Sequence, residues 1–186
     1  MNLSEKLKTF LSNKPKENRG GNDPKAGCQK TLESILGGVE VNTPFGEHLL
    51  VERTYPGCHI HGNIRLDLIF DISGEIIKLI AKSPDYDEFD FTRAVFIDTE
   101  TTGLAGGSGT LAFLIGVGFF ESGSFKILQY FISDYDRETA ALYSLSQLLE
   151  NFDSIVTFNG KAYDIPLLEA RYMLSRMESP FNKPFH

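Results

Sequence analysis

The stretch FIDTETTGLAGGSGTLAFLIGVGFF, residues 96–120, decides how the rest of the chain is read. An apolar run stops at Asp98, and a second acid follows at Glu100. Two threonines and a glycine-rich turn then lead back into apolar sequence. A buried-looking strand that ends in two carboxylates has three readings: the acids hold metal, they serve as nucleophile and acid, or they cap the strand in solvent. Side chains at i and i+2 of a strand share a face, and their Cα atoms lie roughly 6–7 Å apart. Asp98 and Glu100 can therefore reach a common pair of cations about 3.5–4 Å apart. Oxygen-only ligands select hard ions, Mg²⁺ or Mn²⁺.

The surrounding sequence predicts an α/β domain. AVFID (94–98) reads as a short buried strand, and LAFLIGVGFF (111–120), apolar on both alternating faces, as an interior one. Ser122-Gly123 supplies a tight turn into a third strand, SFKILQYFIS (124–133), and strands joined so closely run antiparallel. DRETAALYSLSQLLENF (136–152) has the pattern of an amphipathic helix, with Asp136 as its N-cap and Leu142, Leu145, Leu149 and Phe152 on one face. SIVTFNG (154–160) is a short strand returning beside the first. A helix over 162–177 follows, with Pro166 in its first turn. Three antiparallel strands followed by α-β-α give a mixed sheet.

Upstream, VEVNTPFGEHLLVERTY (39–55) alternates about Pro44-Phe45-Gly46 as a β-hairpin does. In residues 64–82, Leu66, Ile69, Ile76, Leu79 and Ile80 recur at roughly helical spacing, but Gly74 argues against one continuous helix. SPDYDEFDFT (83–92) is an acidic connector. LSEKLKTFL, near the N-terminus, has the makings of a short helix, and residues 13–27, rich in Lys, Asn, Gly and Pro, read as linker. The expected partition is a basic flexible segment over 1–30, a hairpin and helix extension over 31–90, and the α/β domain over 91–186.

Composition limits the function classes. Fifteen Phe and seven Tyr suffice for a sizeable core. No stretch approaches 18 consecutive apolar residues, so no membrane span is expected. The lysine-bearing N-terminus has no apolar secretory core. Cys28 and Cys58, thirty residues apart, match neither a zinc pattern nor a disulfide framework. These features together give a cytoplasmic expectation. The net charge is −7: residues 1–30 carry seven Lys/Arg against three Asp/Glu, and the remainder eleven against twenty-two. An acidic body argues against a broad electrostatic grip on nucleic acid, though not against a cleft in which bound cations offset the acids.

A second segment adds to the first. TFNGKAYDIPLLEAR (157–171) places Asn159 at a strand end and Asp164 at a helix start. If that strand lies beside the first, its following loop brings Asp164 to the same end of the sheet as Asp98, so three acids are expected to converge. Taken alone, Asp164 reads equally as a helix N-cap.

FIDTETTGL resembles the first motif of the DEDD 3′–5′ exonucleases, whose fold is ribonuclease-H-like, and FNGKAYDIPLL resembles their second motif, N-x-x-x-(F/Y)-D-x-P. Residues 96–120 taken with VTFNGKAYDIPLLEAR are similar to the bacterial YprB-like branch of ribonuclease-H-like proteins. The resemblance covers about residues 90–180. It implies a ribonuclease-H-like mixed sheet and a nuclease that hydrolyses phosphodiester bonds of DNA or RNA from a single-stranded 3′ end. It also implies two Mg²⁺ or Mn²⁺ ions held by Asp98, Glu100 and Asp164. Thr101, Thr102, Gly103 and Leu104 would lie against the terminal nucleotide, and Asn159 would support the site. The family pattern has a fourth carboxylate on a later helix with a His or Tyr nearby. No acid in that context follows Asp164, because Glu169 and Glu178 fall in or just beyond the same helix. The expectation is a chain that breaks off before the last motif, with the C-terminal part of the fold missing and weak or no activity alone. A non-catalytic module that keeps the fold and binds nucleic acid or protein is the alternative.

Other signals point less far. GLAGGSGT (103–110) lacks the G-K-[ST] ending of a phosphate loop and precedes a strand. Asp98-Thr99-Glu100-Thr101-Thr102 echoes the aspartate-nucleophile phosphatases, but its second acid is the wrong one. Cys58 and His61 lack the partners of a zinc site. Tyr163 is explained by core packing, and Lys161 and Arg171 could contact phosphate, but single surface cations are unremarkable.

Overall fold

Six strands form one mixed sheet in the computed structural model, which describes residues 31–82, 89–103 and 109–182. A short helix α1 (Leu32–Leu36) leads into the hairpin β1 (Val39–Thr43) and β2 (Gly46–Pro56). A two-stranded ribbon, β3 (Ile60–His61) and β4 (Ile64–Arg65), a 3-10 helix (Leu66–Asp71) and helix α2 (Gly74–Ala81) follow. Next come β5 (Ala94–Thr101), β6 (Ala112–Glu121) and β7 (Ser124–Phe131). Helix α3 (Glu138–Leu149), strand β8 (Ser154–Thr157) and helix α4 (Asp164–Leu174) complete the order. The sheet runs β1-β2-β7-β6-β5-β8, with every pair antiparallel except β5 and β8. The expected α/β mixed sheet is present, and the upstream hairpin extends that same sheet along β7.

The interior strand carries apolar residues on both faces because both faces are covered. Ile115 and Val117 of β6 join Val95 and Ile97 of β5 against Leu142, Leu145 and Leu149 of α3 and Leu168 and Tyr172 of α4. The other face bears a ladder of rings running from Phe91 through Phe96, Phe125 and Phe120 to Phe70, with neighbouring centroids 4.7–6.5 Å apart. Gly118 lies under this ladder: a Cβ there would meet the Phe125 ring at 2.6 Å. Glycine is required by close packing at that position, not by an unusual backbone angle.

Helix ends differ from the sequence reading in instructive ways. The helix expected from Asp136 begins at Glu138, because a 3-10 turn over Tyr135–Arg137 precedes it. Asp134 caps that turn by accepting the Tyr135 N–H at 2.9 Å, so Asp136 is not the cap. Asn151 closes the far end, donating to the carbonyls of Gln147 and Leu148. The helix expected over 162–177 is confined to Asp164–Leu174, and Arg176 (φ 55) turns the chain away from it in the left-handed region. Gly74 opens α2 after Ser73, which separates it from the 3-10 helix as its helix-breaking character implied. The N-terminal helix and linker readings, Cys28 and most of the acidic connector lie outside the described residues. Among the described residues no helix is long and apolar enough to cross a membrane.

One buried ionisable group ties the hairpin to the core. His48 of β2 is fully buried, and its Nε2 lies 2.8 Å from the Ser144 hydroxyl on α3. Burial pushes its imidazolium pKa down, and the positive charge of Arg137 adds to that shift. The unfolded chain, with an ordinary histidine near pKa 6.5, then binds the proton more readily than the native state. The stability His48 permits is present above about pH 6.5 and is lost as pH falls toward its native value, at up to about 1.4 kcal/mol per pH unit. Urea unfolding followed from pH 7.5 to 5 is expected to show this slope, and His48→Gln is expected to flatten it.

Candidate active site

The end of β5 is shaped by strand alternation. Val95 and Ile97 enter the core under the helices, and Thr99 and Thr101 continue that face half-buried. Asp98 and Glu100 point the other way and are exposed. Between Glu100 and Thr101 the register with β6 slips by one residue, from Leu114 to Ala112. This irregularity ends the ladder and releases the chain into the glycine-rich loop. The neck of the loop is closed twice: the Thr102 N–H donates to the Leu111 carbonyl at 3.0 Å, and the Leu111 N–H donates to the Thr102 hydroxyl at 3.1 Å. Leu104 lies outside the described residues.

The second segment docks onto the threonine face. β8 runs parallel to β5 as far as the Ile97–Thr157 pair, so its following turn reaches the same end of the sheet. The Thr99 hydroxyl donates to Asp164 Oδ1 at 2.6 Å. Two residues on, the Thr101 hydroxyl lies 3.0 Å from the Tyr163 hydroxyl, which is also 3.4 Å from the Gly103 carbonyl. Two consecutive residues of the turn thus engage alternate residues of the strand. Asp164 is 4 % exposed and is the first residue of α4, where the free N–H groups and dipole of a helix start favour a carboxylate. Asn159 contributes through its backbone: at φ 59 it takes the left-handed conformation, and its carbonyl accepts the Ala162 N–H. Gly160 admits no side chain, since a Cβ would fall 2.2 Å from the Thr157 hydroxyl.

The three acids share one end of the sheet but are not joined. Asp164 reaches the residue between Asp98 and Glu100, yet it does so on the threonine face, opposite the exposed pair. Among the described residues no three His, Cys, Asp or Glu side chains gather into a set able to hold a metal ion. Strand alternation sends Thr99 toward α4 and leaves Asp98 and Glu100 on the other face of β5. As donors, the exposed pair suits a hard divalent cation, being two carboxylates on one strand face. Asp164 is equally suitable in chemistry, but one of its oxygens is engaged by a hydroxyl.

Sequence reasoning also missed what holds the other end of the loop. Arg171 is 5 % exposed and donates from Nε and Nη2 to the two carboxylate oxygens of Glu138, both at 2.6 Å. Its Nη1 lies 3.4 Å from the Thr110 carbonyl, and its guanidinium sits 6.0 Å from the centre of the Tyr135 ring. The Tyr135 hydroxyl in turn donates to the Gly109 carbonyl at 3.4 Å. Arg171 is therefore an interior brace, not a cation facing phosphate. Its spacing of seven from Asp164, two turns of one helix face, was the signal available in the sequence.

Comparison with known proteins agrees with this architecture. Residues 95–185 match the RNase_H superfamily, and the six-stranded mixed sheet is consistent with a ribonuclease-H-like fold. Over 139 residues the chain is 32% identical to the Bacillus subtilis (strain 168) protein named "Uncharacterized protein YprB". The match takes in 71% of this chain and 32% of that protein, so the chain spans about a third of its relative's length.

The Thr99–Asp164 contact has a measurable weight. Thr99→Val keeps the side-chain shape but leaves a nearly buried carboxylate without its hydroxyl donor. The expected loss is about 1–3 kcal/mol of folding stability, read by urea denaturation, whereas Thr99→Ser is expected to retain most of it.

Proposed function

From the RNase_H-superfamily domain that residues 95–185 carry, we propose that this protein is a metal-dependent nuclease of the DEDD type, shortening single-stranded DNA or RNA from its 3′ end. The observation that carries the reading is the exposed Asp98–Glu100 pair at the end of β5, with the Asn159–Asp164 turn docked beside it by the Thr99–Asp164 bond. In this reading Asp98, Glu100 and Asp164 would hold two Mg²⁺ or Mn²⁺ ions. When bound, such ions would supply orientation of a water and stabilisation of the charge on the scissile phosphate and leaving oxygen. The chain's own residues do the rest. Thr101, Thr102, Gly103 and Leu104 would lie against the terminal nucleotide, with Thr102 held by its bonds to Leu111 and the Gly103 carbonyl by the Tyr163 hydroxyl. Asp164 would serve as a ligand through Oδ2, the oxygen that Thr99 does not engage, and Asn159 and Gly160 set the turn that presents it. The proposed setting is cytoplasmic.

A second reading follows from the same geometry. With Asp164 engaged by Thr99 on the face opposite the pair, the domain serves as a binding module that keeps the fold without the chemistry. The two readings part in one experiment, in which 5′-labelled single-stranded DNA and RNA are incubated with the chain and Mn²⁺, and Mn²⁺ binding is titrated in parallel. The nuclease reading expects slow shortening from the 3′ end that falls to background in Asp98→Asn. It also expects a loss in Mn²⁺ affinity of at least about tenfold, since even outer-shell partners are worth 10–100-fold. Intact oligonucleotide and equal Mn²⁺ affinity in wild type and Asp98→Asn would leave the binding module standing.

A further inference from the structure

Phe158 is 93 % exposed, more than any other large apolar side chain among the described residues. It lies one residue beyond the last β5–β8 pair, Ile97–Thr157, so its backbone stands beside Asp98. We infer that Phe158 is a stacking platform for an unpaired nucleobase next to the carboxylate pair, with Lys161 of the same turn meeting a backbone phosphate. The inference deepens the nuclease reading and rests on it.

Three observations support it. The turn presenting the ring is internally bonded: Gly160 N–H donates to the Thr157 hydroxyl at 3.2 Å, Ala162 N–H to the Asn159 carbonyl at 3.1 Å, and Ile165 N–H to the Gly160 carbonyl at 2.9 Å. With Asn159 left-handed and Gly160 packed on Thr157, the backbone that follows the ring is set by local bonds. Second, Lys161 is exposed three residues further on, which pairs an aromatic face with a cation in the manner of single-strand binding sites. Third, residues 31–186 carry twice as many acids as bases. Such a body has little long-range attraction for a polyanion. Affinity for a single strand must then come largely from short-range contacts, and base–aromatic stacking is a sequence-tolerant one. β8 is the outermost strand of the sheet on this side, and a protein segment covering the ring is the competing occupant.

The chain contains no tryptophan, so Phe158→Trp introduces a clean reporter. The full chain is titrated in EDTA, which prevents cleavage, with fluorescein-labelled single-stranded DNA and RNA about a dozen nucleotides long. Anisotropy gives affinity, and emission from the introduced tryptophan reports stacking. The expected result is quenching of that emission on binding, an affinity at least about fivefold weaker in Phe158→Ala and Phe158→Leu, and near wild-type affinity in Phe158→Tyr. Far-UV circular dichroism checks that each variant is folded. Equal binding by wild type and Phe158→Ala with no quenching in Phe158→Trp overturns the inference while leaving the nuclease reading intact. Tryptophan emission already blue-shifted in the free Phe158→Trp protein, with concentration-dependent self-association, also overturns it and assigns the ring to a protein contact. Absence of binding to either polymer by wild type in EDTA overturns the inference and leaves the nuclease reading to the Mn²⁺ cleavage assay.

Discussion

The hydroxyl of Thr99 and the carboxylate of Asp164, 2.6 Å apart, join two segments 65 residues distant in sequence. A nearly buried carboxylate needs a partner, because burying an ionised group without one costs several kcal/mol. Meeting that need fixes several things at once. It sets the depth at which α4 begins, the side from which the Asn159–Asp164 turn approaches β5, and the face left free for Asp98 and Glu100. The Tyr163–Thr101 contact repeats the same logic one step along the strand, so turn and strand are aligned at two successive points instead of one.

This alignment is rigid because the sheet beneath it is packed on both sides. The helices cover one face through Leu145, Leu168 and Tyr172, and the phenylalanine ladder covers the other. Tyr172 adds polar ties across the helix pair: its hydroxyl donates to the Leu142 carbonyl at 2.8 Å and accepts from Ser146 at 3.0 Å. The Glu138–Arg171 pair closes the far side of the glycine-rich loop. A buried ion pair of this kind need not raise net stability over an apolar pair, yet removing one partner strands the other. Its effect here is to specify where the loop returns to the sheet, at Gly109 and Thr110.

The arrangement is one strand with two different faces at its end. The threonine face is used up in holding the second motif. The carboxylate face is open, acidic and bordered by an exposed ring and a lysine. The two faces thus differ in kind: one is engaged in holding the second segment against β5, and the other presents exposed carboxylates. The surface outside the site is acidic overall, which places the weight of recognition on local contacts.

Much of this was legible in the sequence because it depends on local periodicity. Short apolar runs identified β5 and β6, the Ser122-Gly123 turn implied the antiparallel pairing of β6 with β7, and the leucine spacing of residues 142–149 implied a helix with one buried face. The same i, i+2 rule put Asp98 and Glu100 on one side of β5. Helix starts were less legible: the expected cap was Asp136, whereas a 3-10 turn capped by Asp134 precedes the helix. The site itself divided along the same line. Sequence alone implied that the two segments would meet at one end of a mixed sheet, as they do. Only the tertiary structure decided that Asp164 would arrive on the threonine face, that Arg171 would turn inward to Glu138, and that Phe158 would stand in solvent. Those outcomes depend on how α4 packs against β5 and α3, a long-range balance of burial and hydrogen bonding that no short window of residues contains.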